Sequence, residues 1–201
     1  MTKYPKTPHL PWSSVSDPKD TILYTYKELV GEEIVITEKL DGENCIITKN
    51  DIILKDRDIK RDIDKKLLEI AYQIQKSISE YDTIVLESMF HSLSINYDKL
   101  ERSVYGISYW KEDLCLSWEN TTTFFNAIDV ITPPILYNGS WNNKVIIDLN
   151  HRINNSDSME GYVVRIKKEF KKKDFDKSIA KYVKPFFVQK RTPDFNGVVN
   201  N

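Results

Sequence analysis

The chain has 201 residues, of which 40% are hydrophobic and 29% are charged, and its formal net charge is −1. These values fit one soluble globular domain and exclude a chain that binds nucleic acid through overall positive charge. No apolar run reaches membrane-spanning length, the N-terminus lacks an apolar signal segment, and Cys45 and Cys115 form no disulfide framework. We therefore expect a soluble intracellular protein without membrane contact.

The first half of the chain is predicted to pass from irregular structure to strands and then to a helix. Residues 1–20 are rich in Pro and Ser and are predicted to be irregular, and 24–30 form either a short helix or a short strand. From Asp62 to Ile78 apolar residues recur at helical spacing, with Asp62 as the predicted N-cap. β-Branched runs before this helix predict strands over 33–38, 44–49 and 52–55.

The second half mixes strands and helices without a regular strand–helix–strand alternation. Ser117 is predicted to cap a helix that runs to Ala127. Residues 132–141 are predicted to form a loop, and Ser140 to cap a helix over 141–150. Strands are predicted over 82–88, 102–110, 113–117, 160–170 and 179–185. This order predicts an α+β fold with largely antiparallel sheets flanked by helices.

Charge is distributed unevenly along the chain. The segment from Glu160 to Arg191 contains 11 Lys or Arg residues and 4 Asp or Glu residues, although the whole chain is close to neutral. A basic segment on an acidic body suggests that an anionic ligand is bound on one side. The alternative is a solvated lysine-rich surface without a ligand.

The stretch "TEKLDGENC" places one lysine, Lys39, at a bend between two predicted strands. A lysine amine becomes a nucleophile when burial or neighbouring cations lower its pKa and free its lone pair. Gly42 would let the backbone approach a bulky ligand closely. The alternative reading of this stretch is a surface lysine before an Asp-Gly turn.

Four further charged residues follow or precede apolar strand residues. Glu87 lies in "VLES" and Glu160 in "MEGYVVRIK", at the end and the start of predicted strands. Lys181 and Lys184 flank "YV", and their spacing of three puts them on opposite faces of a regular strand. Both can face one ligand only if the strand bends or ends there, which Pro185 favours.

In this order, these stretches resemble the motifs of the covalent nucleotidyltransferase superfamily, which contains ATP-dependent ligases and mRNA-capping enzymes. "EKLDGEN" matches the nucleophile motif, and "LESMF", "RSVYGISYW", "EGYVVR" and "AKYVK" match the motifs that follow it. The asparagine at position 44 makes the nucleophile motif similar to that of RNA ligases rather than that of DNA ligases. The segments "KYPKTPHLPWS" and "PPILYNGSW" also resemble one branch of the RNA ligases. The resemblance implies a single adenylation domain over 1–201 with an ATP-grasp-like nucleotidyltransferase fold.

The resemblance implies an ATP-dependent RNA ligase that joins a 3′-OH to a 5′-phosphate through lysyl-AMP and RNA-adenylate intermediates, with a role in RNA repair. Lys39 would be the nucleophile, Glu87 would hold the ribose hydroxyls, and Glu160 would hold Mg²⁺, with Mn²⁺ as the alternative. Lys181 and Lys184 would contact phosphates and lower the pKa of Lys39 by like-charge repulsion.

Further nucleotide contacts are implied in the same way. Asn44 would reach the ribose and Glu38 the adenine amino group, although both residues equally suit hydrogen bonds within a hairpin. Tyr105, or its same-face neighbour Ile107, would cover the adenine, although either residue equally suits a protein core. Where relatives place an arginine after the nucleophile, this chain has Lys55 and, two residues on, Arg57. Lysine lacks the planar fork of arginine, so this contact is weakened.

The RNA contacts implied by the resemblance lie mainly in the basic segment. We expect them from Arg57, Arg165, Lys167 and Lys168, with salt-sensitive binding of the RNA backbone. Many relatives carry a further nucleic-acid-binding domain, which is absent from 1–201, so we expect a minimal catalytic domain or one that depends on a partner protein.

Three other functions fit parts of the pattern. A DNA-nick ligase would use the same motifs. A guanylyltransferase would require a capping-type C-terminal domain. A non-catalytic RNA-binding relative would need no nucleophile, whereas this chain retains Lys39.

Overall fold

A computed structural model describes residues 4–54, 64–90, 95, 97 and 103–185, and all structural statements concern these residues. They form ten strands and four α-helices in mixed order. The strands are β1 (Glu33–Lys39), β2 (Glu43–Thr48), β3 (Ile52–Leu54), β4 (Asp82–Ser88), β5 (Val104–Lys111), β6 (Leu114–Cys115), β7 (Ile135–Ser140), β8 (Gly161–Ile166), β9 (Phe170–Lys171) and β10 (Ile179–Val183). The helices are α1 (Lys65–Ser77), α2 (Trp118–Ala127), α3 (Asn143–Asn154) and α4 (Phe175–Ser178), with a 3₁₀ turn at Lys172–Asp174. Among the described residues, no helix is both long and apolar enough to cross a bilayer.

The strands form two antiparallel sheets. One has the order β10-β8-β1-β7, and the other has the order β3-β2-β4-β5-β6-β9. In the four-stranded sheet, β1 is central and buried over most of its length because its sequence is a β-branched run. One face of this sheet packs on α3 through Ile146, Leu149 and Ile153, which recur at helical spacing.

The six-stranded sheet is covered on one face by α1 and α2. Its β4–β5 pairing contains a bulge, since Val85 pairs with Ser108 and Leu86 with Gly106, which leaves Ile107 as the extra residue. On the covered face, apolar residues of β2 and β4 form a core with the two helices. Val85 lies on the opposite face of the six-stranded sheet, and it belongs to the same apolar core as residues of the four-stranded sheet. The two sheets therefore face each other across a common apolar interior.

The N-terminal segment lies against the edge of the four-stranded sheet. His9 forms a parallel bridge with Lys181 of β10, and Leu10 N–H donates to the Lys181 carbonyl at 2.8 Å. Lys181 N–H in turn donates to the Pro8 carbonyl at 2.8 Å. The segment covers part of the β10 edge that would otherwise expose unpaired backbone groups.

Most predicted elements are confirmed, including the α+β class with antiparallel sheets. The predicted loop over 132–141 is wrong, because Ile135–Ser140 pairs with β1 as strand β7. The predicted cap Ser140 is also wrong, since the side chain of Asn142 accepts from the first helical N–H groups of α3. Helix α1 is capped by Asp64, and the predicted cap Asp62 lies outside the described residues. Residues 24–30 form neither a helix nor a strand but turns.

Candidate active site

Lys39 lies at the end of β1, where this strand pairs with Gly161 at the start of β8. Its Nζ donates to Glu160 Oε2 at 2.5 Å. The side chains of Lys39 and Glu160 are 20% and 5% exposed, so the ion pair is largely removed from water. The predicted surface lysine is therefore excluded, and the two motifs that contain these residues meet at one place.

The electrostatics of Lys39 differ from the prediction. Burial lowers its pKa, but the neighbouring Glu160 carboxylate, with smaller contributions from Glu87 and Asp41, raises the pKa above its ordinary value. The prediction that lysine neighbours lower the Lys39 pKa below its ordinary value is therefore wrong. The like-charge repulsion instead affects Lys181, because Lys39 is one of the groups that lower the Lys181 pKa.

Glu87 lies on β4 and faces the same interior as Lys39. Its Oε1 accepts from the Gly42 N–H at 3.2 Å, and Asn44 is its cross-strand partner on β2 and also hydrogen-bonds to it. Burial raises the pKa of Glu87 to about 7, although Lys39, Asn44 and Gly42 oppose this shift. A side chain added at Gly42 would lie 2.5 Å from the Ser88 carbonyl, so glycine is required for this close approach.

Lys181 lies on β10, opposite Val163 of β8, and is close enough to Lys39 and Glu160 for both to affect its pKa. Burial lowers the pKa of Lys181 below its ordinary value, and Asp20 opposes this shift. Its Nζ donates to Asp20 Oδ2 at 3.1 Å. The structure therefore places Lys181 near the Lys39–Glu160 ion pair.

Lys184 is placed differently. Its backbone N–H donates to the Glu160 carbonyl at 3.0 Å, while its Nζ donates to the Ser156 carbonyl in the loop after α3. This follows from the spacing of three, because Lys181 and Lys184 leave the backbone on opposite sides. Although β10 ends at Val183, the Lys184 side chain bonds to the Ser156 carbonyl and not to a group of the Lys39–Glu160 pair.

The predicted adenine contacts have mixed placements. Glu38 pairs with Tyr162 and lies on the β1 face that packs on α3, opposite to Lys39. Tyr105 pairs with Glu87 and is buried beside Leu40, whereas Ile107 packs against the larger core. Tyr105 is thus the nearer neighbour of the Lys39 strand end, and all three contacts remain predictions.

The sequence model of the RNA ligase family matches residues 32–183, which is well over half of the chain. The chain belongs to the RNA ligase family. The match includes β1 with Lys39 and ends at the last residue of β10, so the strands that carry the ion pair and Lys181 are all within it. No curated protein matches the chain.

Solved structures support the same RNA-ligase fold. The Naegleria gruberi RNA ligase with PPi has a TM-score of 0.57 and 15% identity, over 79% of this chain and 51% of that enzyme. A variant of that enzyme with ATP and Mn has a TM-score of 0.55 and 16% identity, over 79% of this chain and 52% of the variant. A candidate ATP-dependent DNA ligase from Aquifex aeolicus has a TM-score of 0.58 and 17% identity, over 91% of this chain and 55% of that one. The chain therefore spans about half the length of these relatives, and the likeness establishes the fold.

Of the predicted RNA-binding residues, the three that the structure describes, Arg165, Lys167 and Lys168, do not form one surface beside Lys39. Arg165 is buried, donates to the Leu116 carbonyl at 2.9 Å and lies against the rings of Trp118 and Phe170. The guanidinium group of Arg165 therefore stabilises the protein interior. Its burial contradicts the predicted RNA contact by Arg165. Lys55 and Arg57 lie outside the described residues.

Lys167 and Lys168 are at the far end of the β1–β8 pair from Lys39. Because seven residues separate Lys168 from Gly161, the distance along the strand is roughly 20 Å. Lys168 pairs with Glu32 at 2.6 Å, and Lys167 approaches Glu33 at 3.7 Å. Both lysines are exposed enough to contact a nucleic-acid backbone, but only at a distance from the reacting amine.

A divalent cation fits the site as a ligand of one carboxylate. Glu160 is buried at the cleft, and the hydrogen bond to Lys39 uses only one of its two oxygens. Within the described ranges, no three His, Cys, Asp or Glu side chains form a ready-made metal cluster. This donor set suits Mg²⁺ or Mn²⁺ held by one carboxylate together with substrate phosphates rather than by an all-protein cage.

Two residues near the site were missed from the sequence. Asp20 pairs with Lys181 although it comes from the segment predicted to be irregular. Tyr97 accepts a hydrogen bond from the Asp41 N–H at 2.9 Å, at the bend that follows Lys39. No local sequence pattern marks either residue as part of the site.

Proposed function

We propose that the protein is an ATP-dependent RNA ligase that forms a covalent Lys39–AMP intermediate. One observation carries this proposal: the Lys39 amine lies 2.5 Å from the buried Glu160 carboxylate, near Glu87 and Lys181, in a chain of the RNA ligase family. A binding protein needs no such amine between carboxylates.

The proposed reaction has three phosphoryl transfers. The neutral Lys39 Nζ attacks the α-phosphorus of ATP, so a P–N bond forms, the bond to the bridging oxygen breaks, and pyrophosphate leaves. An oxygen of the RNA 5′-phosphate then displaces the lysine and takes AMP. Finally the RNA 3′-OH attacks that 5′-phosphate, loses its proton and releases AMP. Each step depends on alignment and charge neutralisation.

Lys39 must lose a proton before the first step. Burial is the largest single influence and lowers the Lys39 pKa, but the surrounding carboxylates, Glu160 first, together raise the pKa above its ordinary value. Separation of Lys39 from Glu160 would remove the main part of that increase, so the pKa of the amine would fall. A Mg²⁺ or Mn²⁺ ion bound at Glu160 would supply positive charge beside the α-phosphate.

The neighbouring side chains have complementary roles in this proposal. Glu87 is an acceptor for ribose hydroxyl groups, and Asn44 keeps its orientation from the adjacent strand. Lys181 offers N–H donors to phosphate oxygens. Lys184 would release the Ser156 carbonyl to reach the same phosphates.

The RNA substrate has a 3′-OH and a 5′-phosphate, in a nicked duplex or as free ends, and RNA repair is the process that this chemistry serves. Family membership and the likeness to the Naegleria RNA ligase support RNA. The similar TM-score of the Aquifex candidate DNA ligase favours DNA-nick sealing as the second function to test. A partner protein or domain would add RNA contacts.

The test is incubation with α-labelled ATP, GTP or NAD⁺ and Mg²⁺, followed by a denaturing gel. We expect a labelled protein with ATP only. Label from GTP alone would indicate capping chemistry, and no label from any donor would support a non-catalytic RNA-binding protein. Sealing assays on nicked duplexes with RNA or all-DNA strands then distinguish the two ligase functions.

A further inference from the structure

The Asp20 carboxylate accepts hydrogen bonds from three side chains that come from different parts of the chain. Its Oδ1 accepts from Lys6 Nζ at 2.8 Å, and its Oδ2 lies 3.0 Å from His9 Nε2 and 3.1 Å from Lys181 Nζ. The side chains of Asp20 and Lys181 are only 16% and 17% exposed. Burial raises the pKa of Asp20, but the three donors together lower the pKa well below its ordinary range, so Asp20 carries a negative charge at neutral pH.

His9 links Asp20 to the backbone of β10. Because a carboxylate only accepts, the Nε2 atom of His9 carries the hydrogen. Its Nδ1 lies 2.7 Å from the Ser13 hydroxyl, and burial lowers the pKa of His9, which favours the neutral ring with Nδ1 as the acceptor. The Ser13 Oγ accepts from the Val183 N–H at 2.9 Å. Both ends of this chain of hydrogen bonds lie on β10, at Lys181 and at Val183.

This network restrains Lys181 without using all its donors. The backbone of Lys181 is fixed by Pro8 and Leu10, and its ammonium gives one N–H to Asp20. An ammonium has three N–H groups, and among the described residues Asp20 is the only recorded hydrogen-bond acceptor for the Lys181 ammonium. Two donors are therefore left for a ligand phosphate.

The charges around Lys181 explain why a carboxylate is needed there. Burial and the nearby Lys39 both lower the pKa of Lys181, and Asp20 and Glu160 oppose them. His9 is neutral and adds no charge. A lysine that binds phosphate must stay protonated while the neighbouring Lys39 must not.

We propose that Asp20, oriented by His9 and Ser13, is a positioning residue that holds the Lys181 ammonium at the cleft for a nucleotide phosphate. This inference rests on the proposed function, in which Lys181 contacts phosphate. Asp20 itself does not touch the nucleotide. Asp20 also bonds to Lys6 and His9, but its proposed effect on the reaction passes through Lys181, and this dependence on Lys181 separates it from a residue that only stabilises the fold.

The test measures the rate of labelled-AMP attachment in full-length variants. We expect Asp20→Asn to slow attachment on the order of tenfold, because a charge-assisted hydrogen bond is lost. Asp20→Glu, which keeps the charge, should give an intermediate rate. Asp17→Asn is the matched control, since Asp17 also contacts Lys6, at 3.4 Å, and is not among the partners recorded for Lys181.

A double-mutant cycle with Lys181→Met separates positioning from stability. In that background Asp20→Asn should cause little further loss, because the group that it positions is absent. Thermal unfolding of each variant checks that it is folded. If Asp20→Asn does not fold, Asp20→Glu replaces it in the double-mutant cycle, and we again expect little further loss of rate in the Lys181→Met background.

The outcomes distinguish the two proposals. If the wild-type protein forms the adduct and Asp20→Asn matches its rate, the positioning role is overturned and the proposed function stands. Losses that multiply in the double variant would also overturn the positioning role, since they indicate a structural effect. If the wild-type protein forms no adduct with any donor, the proposed function fails and this inference fails with it.

Discussion

The antiparallel pair of β1 and β8 has a lysine–glutamate ion pair near each of its ends. At one end Lys39 and Glu160 are 2.5 Å apart, with side chains 20% and 5% exposed. At the other end Lys168 and Glu32 are 2.6 Å apart, with side chains 61% and 32% exposed. The distances are nearly equal, but the surroundings differ.

This difference shows that burial, rather than contact distance, decides what an ion pair does. In water the attraction of an exposed pair is small, because solvent screens it and the side chains lose freedom. At the buried end the carboxylate raises the pKa of an amine, and loss of one partner is costly. The far end has the exposed charges of an ordinary surface.

The largest expected difference between the two ends comes from their glycines. Gly161, opposite Lys39, would place an added Cβ at 1.8 Å from the Tyr182 carbonyl oxygen, which is a backbone atom that cannot move aside. We expect Gly161→Ala to lower the free energy of unfolding by at least about 4 kcal/mol. Chemical denaturation would measure this loss.

The matched control is Gly139→Ala, opposite Ile34 near the far end of β1. Its added Cβ would meet the hydroxyl of Tyr137 at 2.9 Å, and the tip of a side chain can shift. We expect a loss of about 1 kcal/mol or less. Equal losses for both glycines would contradict the tight approach of β8 and β10 at the site.

A smaller difference is expected when each ion pair loses its carboxylate. Glu160→Gln leaves the Lys39 ammonium in the cleft without its partner, and we expect a loss of about 3 kcal/mol in unfolding free energy. Glu32→Gln should cost less than about 1 kcal/mol, because both of its groups are hydrated. Urea unfolding at pH 7 compares the two, and similar costs would mean that the Lys39 pair is not effectively buried.

The smallest expected effect concerns the pH dependence of stability at the cleft end. Burial raises the pKa of Glu38 to about 7 from an ordinary value of 4.5, and Arg152 opposes this only slightly. The folded chain therefore binds this proton more tightly than the unfolded chain, so stability is lost as pH rises from about 4.5 to 7. Glu38→Gln removes this loss.

We expect the stability of Glu38→Gln, relative to wild type, to rise by about 2 kcal/mol between pH 5 and pH 8. Unfolding curves of both proteins at several pH values measure this difference. Subtracting them removes the contribution of Glu87, which titrates in the same range in both proteins. A difference that stays constant with pH would show that Glu38 is not buried as a carboxyl group.

The sequence was sufficient to predict the elements that form the site. Strand patterns placed Lys39 and Glu87 at or near the ends of strands, whereas the expectation that these residues meet came from the family resemblance. Period-two alternation puts Lys181 and Lys184 on opposite faces of a regular strand, and the expectation that both would contact phosphates relied on a bend at Pro185. The Lys184 Nζ donates instead to the Ser156 carbonyl, so the local alternation was the better guide.

Features that depend on contacts between distant segments could not be predicted. The β-strand over Ile135–Ser140 lies in the predicted loop because Pro133 and Pro134 precede it and it contains Asn138 and Gly139, and only pairing with β1 makes it a strand. Arg165 alternates with apolar residues like any strand residue, and its burial follows from Leu116 and the aromatic rings around it. The raised pKa of Lys39 likewise requires the position of Glu160, 121 residues away in the sequence.

The central claim is that the Lys39 amine forms a covalent bond to AMP. The most direct measurement is peptide mapping by mass spectrometry after incubation with ATP and Mg²⁺. We predict that the mass of one AMP group is found on the peptide that contains Lys39, and that it is absent from Lys39→Ala but present in Lys168→Ala. AMP on another residue, or none in the wild-type protein, would contradict the account.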